Sequence, residues 1–421
     1  MALYLHIFEV AENEDDLSAT VTFVIGNLTD RKVIPEFIHN VKQHRRLGGG
    51  RKIILDMSNV KHVQPYPATV LAGYLHYFRE EGFEFELLKP NKYLRRIFFG
   101  RPKKVEPEKI KRNEHCLDKI WRFSDSKDVH ALVRGITLNL RRYAECEEGV
   151  IDACEWGINE IMDNVIQHSQ ESCGFIMAQV DTRSKRFDIC VFDYGIGIYR
   201  SFKDSKNNYD PKNSSDAISL AIQEGVTRDK KVGQGNGMWG LYNMANQNKG
   251  NMMIVSGKGA LTLSDSGKIK TINTIYTLNR KHQATSVAFR MRLDSGVSVK
   301  DALGGYELID LYVEEMEDEH GRIVFKVSDA ASGTGTRESG RLLKNEIFNL
   351  VTKANSRIII DFNGVGIVSS SFADEFIGKL VIKLGFFQFQ RLFELKNMNP
   401  TIQSIVQRSL SQRMAESLKT K

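Results

Sequence analysis

An apolar run that ends in aspartate occurs once near each end of the chain, and this repeat limits the fold more than any other feature. The first copy spans residues 51–60 (RKIILDMSNV) and the second spans residues 356–365 (SRIIIDFNGV). A short apolar run that stops at a polar turn is typical of a buried strand. The sequence therefore predicts two similar modules that flank a longer middle region.

Each run is followed by the same series of patterns. A helical pattern comes first, then a second apolar run, and then an amphipathic stretch. In the first copy the helical pattern, the apolar run and the amphipathic stretch span residues 67–80, 83–88 and 93–99. In the second copy they span residues 372–384, 389–395 and 401–410. Alternation of strand and helix at this spacing indicates βαβ units, and therefore an α/β fold in which helices cover the sheets.

The two flanking segments resemble STAS domains, the small α/β modules of bacterial anti-sigma-factor antagonists. The resemblance covers residues 18–105 and 305–415 and rests on the strand that ends in Asp-x-(Ser/Asn)-x-Val. In that family the following loop often carries a phosphorylatable serine. The resemblance therefore implies that Ser371, in the loop Ser369-Ser370-Ser371, is a phospho-acceptor, whereas the first copy has no serine in this loop.

In the middle region, residues 150–168 form a helical pattern with polar side chains on one face. Glu160, Asn164 and His168 are each four residues apart, so all three project from the same side. An amide oxygen can ligate Mg²⁺, and a carboxylate one turn away can orient or deprotonate a nucleophile. Taken alone, the same pattern also fits an exposed polar stripe.

A strand and a glycine motif follow this helix. Residues 187–192 are typical of a strand, and they run into Asp193-Tyr194-Gly195-Ile196-Gly197. An aspartate at a strand end places a carboxylate acceptor beside glycine backbone that a ligand can approach closely. Taken alone, this pattern also fits a simple turn.

A second glycine motif spans residues 233–237 (GQGNG) and leads directly into a helical pattern. Alternating glycines before a helix expose successive N–H groups, which favour phosphate binding. The motif is neither a Walker A sequence nor a Rossmann fingerprint. The last motif is a predicted strand over residues 284–291, which begins with the hydroxyl of Thr285.

In this order the four motifs resemble the Bergerat, or GHKL, ATP-binding fold of gyrase-type topoisomerases, Hsp90, histidine kinases and MutL. The resemblance covers residues 120–293 and implies that Glu160 is catalytic, that Asn164 ligates Mg²⁺ and that Asp193 accepts the adenine amino hydrogen. It also implies that the polar segment 199–232 is an ATP lid. The remaining residues that it assigns to binding ATP are Gly195, Gly197, Gly233, Gly235, Asn236, Gly237 and Thr285.

These resemblances predict a central Bergerat-fold α/β sandwich flanked by two small STAS-like α/β domains, similar in parts to anti-sigma-factor serine kinases and their antagonists. The predicted domains are residues 1–112, 113–296 and 300–421, with a basic linker at 101–115. We expect a protein partner, or self-association such as a homodimer, through the STAS-like domains.

Three functions remain open on the sequence. The first is an ATP-driven conformational switch in regulation or signalling, with slow hydrolysis through Glu160. The second is a protein serine kinase in which Glu160 deprotonates a serine of a STAS domain. The third is an ATP-responsive nucleic-acid binder, suggested by ten lysines and arginines between Lys89 and Arg112, a pattern that a solvated linker also explains.

Composition and charge bear on the possible partners of the protein and on its cellular compartment. The formal net charge is +7, too small to indicate a partner by itself. The sequence has no apolar stretch long enough for a membrane span and no signal-peptide pattern, so a cytoplasmic protein is expected. Five scattered cysteines without a Cys-x-x-Cys pair predict reduced, buried thiols rather than a zinc site.

Overall fold

The computed structural model describes residues 20–111, 114–169, 173–205, 209–226, 237–273, 279, 281–306, 311–331, 333–354 and 357–419, and the chain divides into two compact units. Unit 1 contains the described residues up to Ile136 together with Ala153–Arg292. Unit 2 contains Thr137–Asp152 together with the described residues from Leu293 onward. Helices and strands are mixed in both units, which confirms the predicted α/β fold class.

Unit 1 begins with a three-stranded parallel sheet in the order β1-β2-β3. Its central strand is the first apolar run of the repeat, and the Asp56 carboxylate at its end accepts a hydrogen bond of 2.9 Å from the Ser58 N–H. This turn stops the strand where the sequence predicted that it would stop. The elements are β1 (Val21–Val24), α1 (Val33–Arg46), β2 (Lys52–Asp56), α2 (Pro65–Glu80), β3 (Glu84–Leu88) and α3 (Lys92–Arg96).

The rest of unit 1 is built around an eight-stranded sheet in the order β10-β9-β8-β11-β7-β6-β5-β4. All neighbouring strands are antiparallel except the edge pair β4 and β5, which are parallel. The strands are β4 (Lys103–Lys104), β5 (Trp121–Phe123), β6 (Gly174–Asp181), β7 (Arg186–Asp193), β8 (Asn251–Ser256), β9 (Gly259–Leu263), β10 (Ile269–Asn273) and β11 (Thr285–Arg292). The helices are α4 (Pro107–Lys111), α5 (Ser126–Tyr143), α6 (Val150–His168), α7 (Gly197–Lys203), α8 (Ser214–Ala221) and α9 (Gly237–Gln247), and of these α5 from Thr137 onward and the first three residues of α6 belong to unit 2. The predicted linker at 101–115 therefore includes β4 and α4.

One face of this sheet is covered by α2 of the N-terminal module. Twelve of the sixteen residues of α2 are buried, which is typical of a helix that packs on two sides. Gly73 makes the close approach possible, because a Cβ atom there would lie 2.3 Å from the ring of Phe192 and 3.2 Å from that of Phe175. The N-terminal module and this sheet face share one hydrophobic core.

The opposite face of the sheet carries α6 and α9. A Cβ atom at Gly157 of α6 would lie 2.8 Å from Leu241 of α9 and 3.7 Å from Phe289 of β11. Side chains alternate between the two faces along each strand. Since Phe192 contacts α2, its neighbour Asp193 lies on the face that α6 and α9 cover.

Unit 2 contains a second three-stranded parallel sheet, in the order β12-β13-β14. As in the first copy, the apolar run of the repeat is the central strand, and Asp361 at its end accepts a hydrogen bond of 2.8 Å from the Asn363 N–H. The elements are α10 (Val299–Ala302), α11 (Leu311–Glu314), β12 (Val324–Lys326), α12 (Val327–Ala330), α13 (Arg337–Leu350), β13 (Ile358–Asp361), α14 (Ser370–Ala373), α15 (Lys379–Leu384), α16 (Phe386–Leu392), β14 (Phe393–Lys396) and α17 (Pro400–Lys419). A 3₁₀ turn (Val351–Lys353) follows α13, and a π-helical turn (Asp374–Gly378) joins α14 to α15.

One prediction for the second module is wrong. The strand expected over residues 389–395 begins only at Phe393, because Phe386–Leu392 is a helix. Gly385 ends the preceding helix with a φ of 81°, and the chain then makes two further helical turns. Phe389 lies in this helix, and its side chain is buried. Because strands and short buried helices both contain apolar runs, the run alone did not distinguish one from the other.

The close contact at Gly73 gives a stability prediction. Gly73→Val places a branched side chain against two buried aromatic rings and is expected to lower the free energy of unfolding by about 1–3 kcal/mol. Urea denaturation monitored by circular dichroism measures this change. Gly26→Ala is the matched control, since the nearest atom to its Cβ position is 4.0 Å away. Equal unfolding midpoints for the two variants would contradict the packing of α2 on the sheet.

Candidate functional site

The glutamate and the asparagine predicted for the site lie on α6, where Glu160 and Asn164 are both half-buried. Burial, and to a smaller extent the carboxylate of Asp163, raise the pKa of Glu160 above its ordinary value of 4.5. Burial also raises the pKa of Asp163, although Asn159 donates a hydrogen bond of 3.2 Å to its carboxylate. Two carboxyls on this helix are therefore poised to accept protons more readily than exposed ones.

The start of α9 lies directly against Glu160. A Cβ atom at Gly237, the first residue of α9, would lie 2.3 Å from Oε2 of Glu160 and 3.2 Å from its carboxyl carbon. Any side chain at this position would displace the carboxylate. The structure thus brings together the first and the third of the sequence motifs. The preceding positions of that glycine motif, Gly233, Gly235 and Asn236, lie outside the described residues.

Asp193 ends β7 and is buried, with 5 % of its surface exposed. One of its carboxylate oxygens, Oδ1, accepts a hydrogen bond of 2.9 Å from the Gly195 N–H. Thr285, the first residue of β11, lies directly opposite Asp193 in the antiparallel ladder. Directly opposite residues have side chains on the same face of a sheet, so the second and fourth motifs also meet.

Both glycines after Asp193 are required, the first by a close backbone contact and the second by its backbone conformation. A Cβ atom at Gly195 would lie 2.2 Å from the carbonyl oxygen of Ser169, and the Gly195 carbonyl itself accepts from the N–H groups of Gln283 and Ala284. Gly197 has a φ of 75°, which lies in the left-handed region that favours glycine. The loop is therefore fixed between the end of α6 and the start of β11.

Ser256, at the end of β8, was missed by the sequence reasoning. Its hydroxyl accepts a hydrogen bond of 2.8 Å from the Ile198 N–H and lies 3.0 Å from the hydroxyl of Thr285. It therefore connects the first turn of α7 with the threonine of the fourth motif. The only available signal was its place at a strand end before Gly257, which is too common to single it out.

The serine loop of the second module lies in unit 2. Ser369 is the N-cap of α14 and accepts a hydrogen bond of 3.0 Å from the Phe372 N–H. Its hydroxyl also lies 3.0 Å from that of Ser371, which is half-buried, whereas Ser370 is exposed. Ser371 is thus engaged in a local hydroxyl pair, and its role as a phospho-acceptor stays a prediction.

Several cations of the basic segment have partners within the chain. Lys103 pairs with Glu114 and lies over the ring of Trp121, and Lys109 pairs with Glu106 at 2.7 Å. Arg96 lies over the ring of Tyr93. Arg112 lies outside the described residues. These contacts engage three of the ten cations within the chain, and nucleic-acid binding by this segment stays an untested alternative.

All five cysteines are described and buried, and none forms a disulfide. Among the described residues, no helix is long and apolar enough to cross a membrane. In the same part of the chain, no group of three or more His, Cys, Asp or Glu side chains is arranged to hold a metal ion. The role of Asn164 as a Mg²⁺ ligand, through its side-chain amide oxygen, stays a prediction.

Comparison with known proteins identifies one segment. Residues 339–403 match the family model of a STAS-like domain of unknown function (DUF4325). The match runs from α13 through β13 and β14 into α17. Comparison of the whole sequence with curated proteins gives no match. The C-terminal module therefore contains a STAS-like domain, which indicates a regulatory or signalling role and interaction with a protein.

The raised pKa of Glu160 gives a prediction with a defined sign. The unfolded chain releases this proton near pH 4.5, whereas the folded chain holds it to higher pH. Ionisation of Glu160 therefore destabilises the folded state increasingly as the pH rises above 4.5. Glu160→Gln, which cannot ionise, is expected to raise the thermal midpoint at pH 7.5 but not at pH 4.0.

Differential scanning fluorimetry across this pH range measures the effect. Glu224→Gln, at an exposed glutamate of the same unit, is the control and should shift the midpoint equally little at both pH values. If Glu160→Gln shifts the thermal midpoint by the same amount at pH 4.0 and at pH 7.5, the buried environment of this carboxyl is contradicted.

Proposed function

We propose that the residues on α6, α9, β7 and β11 bind ATP with Mg²⁺, and that the nucleotide state acts as a conformational switch on the STAS-like modules. The observation that carries this proposal is the meeting of motifs that are remote in the sequence. Glu160 lies against Gly237, and Asp193 lies opposite Thr285. Both pairs lie on the sheet face covered by α6 and α9, as a single binding site requires.

The Asp193 end of the site suits an adenine ring. A buried carboxylate accepts a hydrogen bond from an exocyclic amino group, and burial strengthens that bond because water does not compete. Oδ1 accepts from the Gly195 N–H, and a carboxylate carries a second acceptor oxygen whose chemistry matches an amino donor. The Ser256 hydroxyl donates to the Ala284 carbonyl at 3.3 Å, so the Thr285 hydroxyl beside it is the group that can donate to a ring nitrogen.

The Glu160 end of the site suits the phosphates. The N-terminus of an eleven-residue helix, α9, attracts anions through its unpaired N–H groups. Bound Mg²⁺ supplies charge neutralisation of the phosphates, with the Asn164 side chain as its protein ligand. Glu160, whose pKa is raised by burial, orients or deprotonates the attacking oxygen, and slow hydrolysis resets the switch.

Asp193→Asn tests the adenine assignment while preserving the loop. The asparagine keeps the Oδ1 acceptor for the Gly195 N–H, but it replaces the other oxygen with an NH₂ that repels the adenine amino group. Loss of a charge-assisted hydrogen bond is expected to weaken ATP binding by about 1.5–3 kcal/mol, roughly tenfold or more in Kd.

Isothermal titration calorimetry with Mg-ATP measures this loss. Asp265→Asn, in the exposed turn between β9 and β10, is the control and should leave the Kd unchanged. An unchanged Kd for Asp193→Asn, with normal binding by the native protein, would refute the adenine assignment.

A protein serine kinase is the second candidate, favoured by the place of Ser371 in the first turn of α14. A helix N-terminus tolerates added negative charge, and the exposed Ser370 beside it is an alternative acceptor. In either function Glu160→Ala should retain ATP binding and lose turnover, so this variant does not separate them.

Intact-protein mass spectrometry after incubation with Mg-ATP separates the two functions. For a switch, we expect an unmodified protein together with ADP and free phosphate. Ser370→Ala and Ser371→Ala, examined side by side, identify the acceptor if a phosphate is added. A phosphate that is retained in Ser370→Ala and lost in Ser371→Ala would replace the switch with the kinase.

A further inference from the structure

The C-terminal end of α5 depends on side chains of α13. The last carbonyl groups of any helix have no partner within the helix and must be satisfied by other groups. Here the Asn349 side-chain amide donates to the carbonyl oxygens of Arg141 and Ala144, both at 2.8 Å. The Asn345 amide donates to the carbonyl of Arg142 at 3.0 Å. The STAS-like module therefore provides the cap of this helix.

The turn that follows α5 is held by the same asparagine. The Oδ1 atom of Asn349 accepts a hydrogen bond of 3.0 Å from the Cys146 N–H. Asn349 is 5 % exposed, and its amide thus makes three buried hydrogen bonds to one short segment. Removal of a buried partner leaves backbone groups that pay the full cost of desolvation. Asn349 is therefore a specific connector and not an incidental contact.

A buried ion pair lies beside this asparagine. Glu346 is fully buried, and its carboxylate accepts a hydrogen bond of 2.7 Å from Nε of Arg142 and another from the Tyr312 hydroxyl. Burial, followed by the charge of Glu346, raises the pKa of Tyr312, so the hydroxyl remains a donor. Arg141 stacks its guanidinium over the ring of Tyr312 at 5.0 Å. Two consecutive arginines of α5 are thus fixed by α13 and by α11.

The beginning of α6 is held in the same way. Lys353, in the turn after α13, pairs with the carboxylate of Asp152 in the first turn of α6. Lys344 of α13 and Lys383 of α15 both pair with Glu145 in the preceding turn. We use the term α13 clamp for Asn345, Glu346, Asn349 and Lys353.

Helix α6 is continuous from this clamped end to the candidate site. Its first three residues belong to unit 2, and the remainder, with Glu160 and Asn164, belongs to unit 1. Glu160 follows Asp152 by eight residues, about two turns of the same uninterrupted helix, so a displacement of the first turn bears on Glu160. We propose that the α13 clamp positions α6, and that it thereby couples the STAS-like module to the nucleotide site; this inference rests on the proposed function.

The serine loop contacts the other side of α13. A Cβ atom at Gly340 of α13 would lie 2.7 Å from the carbonyl oxygen of Phe372 in α14 and 3.2 Å from Glu375. A change at Ser370 or Ser371, or a partner bound there, therefore bears on α13 directly. The members of the clamp are positioning residues, since they act on the chemistry through Glu160 and Asn164.

Asn349→Ala in the full chain is the principal test. It removes the cap of α5 without touching the site. We expect kcat for ATP hydrolysis to fall about tenfold or more, because Glu160 is displaced, while the Kd for ATP changes less than about threefold. Asp193 and Thr285 lie on strands outside the clamped segment, so adenine binding is retained, and the limited rise in Kd reflects the displacement of Asn164. A purely structural role would lower kcat and raise the apparent Kd together, as the folded fraction falls.

Hydrogen exchange provides a readout that does not depend on turnover. Coupling is reciprocal, so ATP should slow amide exchange in residues 141–152 and in α13 of the native protein. This response should be lost in Asn349→Ala. Glu338→Gln is the matched control on the same helix, because its exposed carboxylate pairs, among the described residues, only with Arg341 one turn away. It should keep the native kcat and the native exchange response.

Lys353→Met provides a second, milder variant if Asn349→Ala does not fold. It removes one ion pair and leaves no buried carbonyl without a donor, and we expect kcat to fall about threefold with an unchanged Kd. Native kcat and a native exchange response in the clamp variants that fold would overturn the coupling alone. Absence of ATP binding by the native protein would overturn the proposed function and the coupling with it.

Discussion

The central strands of the eight-stranded sheet are apolar on both faces, and the arrangement of unit 1 follows from the need to cover both. Along β7, Ile189 and Val191 point to one face, and Cys190 and Phe192 point to the other. Helices α6 and α9 cover the first face, and α2 covers the second. Because the N-terminal module supplies α2, it is part of the hydrophobic core of the sheet and not an appended domain. The site is thereby confined to the opposite face.

In unit 2 the constraint is the C-terminal end of α5, whose carbonyl groups need hydrogen-bond donors from elsewhere in the chain. The carbonyls at the end of α5 are buried, and the chain supplies their donors from α13, some 200 positions later in the sequence. This is why Thr137–Asp152 belongs with the C-terminal residues, although its neighbours on both sides belong to unit 1. A polar contact of this kind is directional, so it specifies one register of α13 along the turn. An apolar contact of similar area would tolerate a shift.

Local patterns predicted those features of the fold that depend on neighbouring residues. The Asp-terminated strands were predicted because a buried strand and its polar turn are both encoded within ten residues, and the helix bearing Glu160 was predicted from its period. The STAS-like resemblance of the second module is confirmed over residues 339–403, whereas the ATP site stays a prediction. The helix at Phe386–Leu392 was mistaken for a strand because a short apolar run is compatible with either. Asn345 and Asn349 gave no signal, because two amides one turn apart are common on exposed helices.

Two glutamates, Glu346 and Glu160, differ in whether neighbouring groups compensate their buried carboxylates, and this difference separates a structural role from a chemical one. Glu346 is fully buried, yet Arg142 and Tyr312 satisfy its carboxylate, so its charge is compensated within the fold. Glu160 is half-buried beside another carboxylate, Asp163, and no cation among the described residues pairs with it. A partly buried carboxylate without a cationic partner lowers the stability of the folded state. Perturbed groups of this kind are concentrated at functional sites. Glu160 lies on α6 against the start of α9, and the first turn of the same helix carries Asp152, which pairs with Lys353; these two contacts are the basis of the regulatory coupling that we propose.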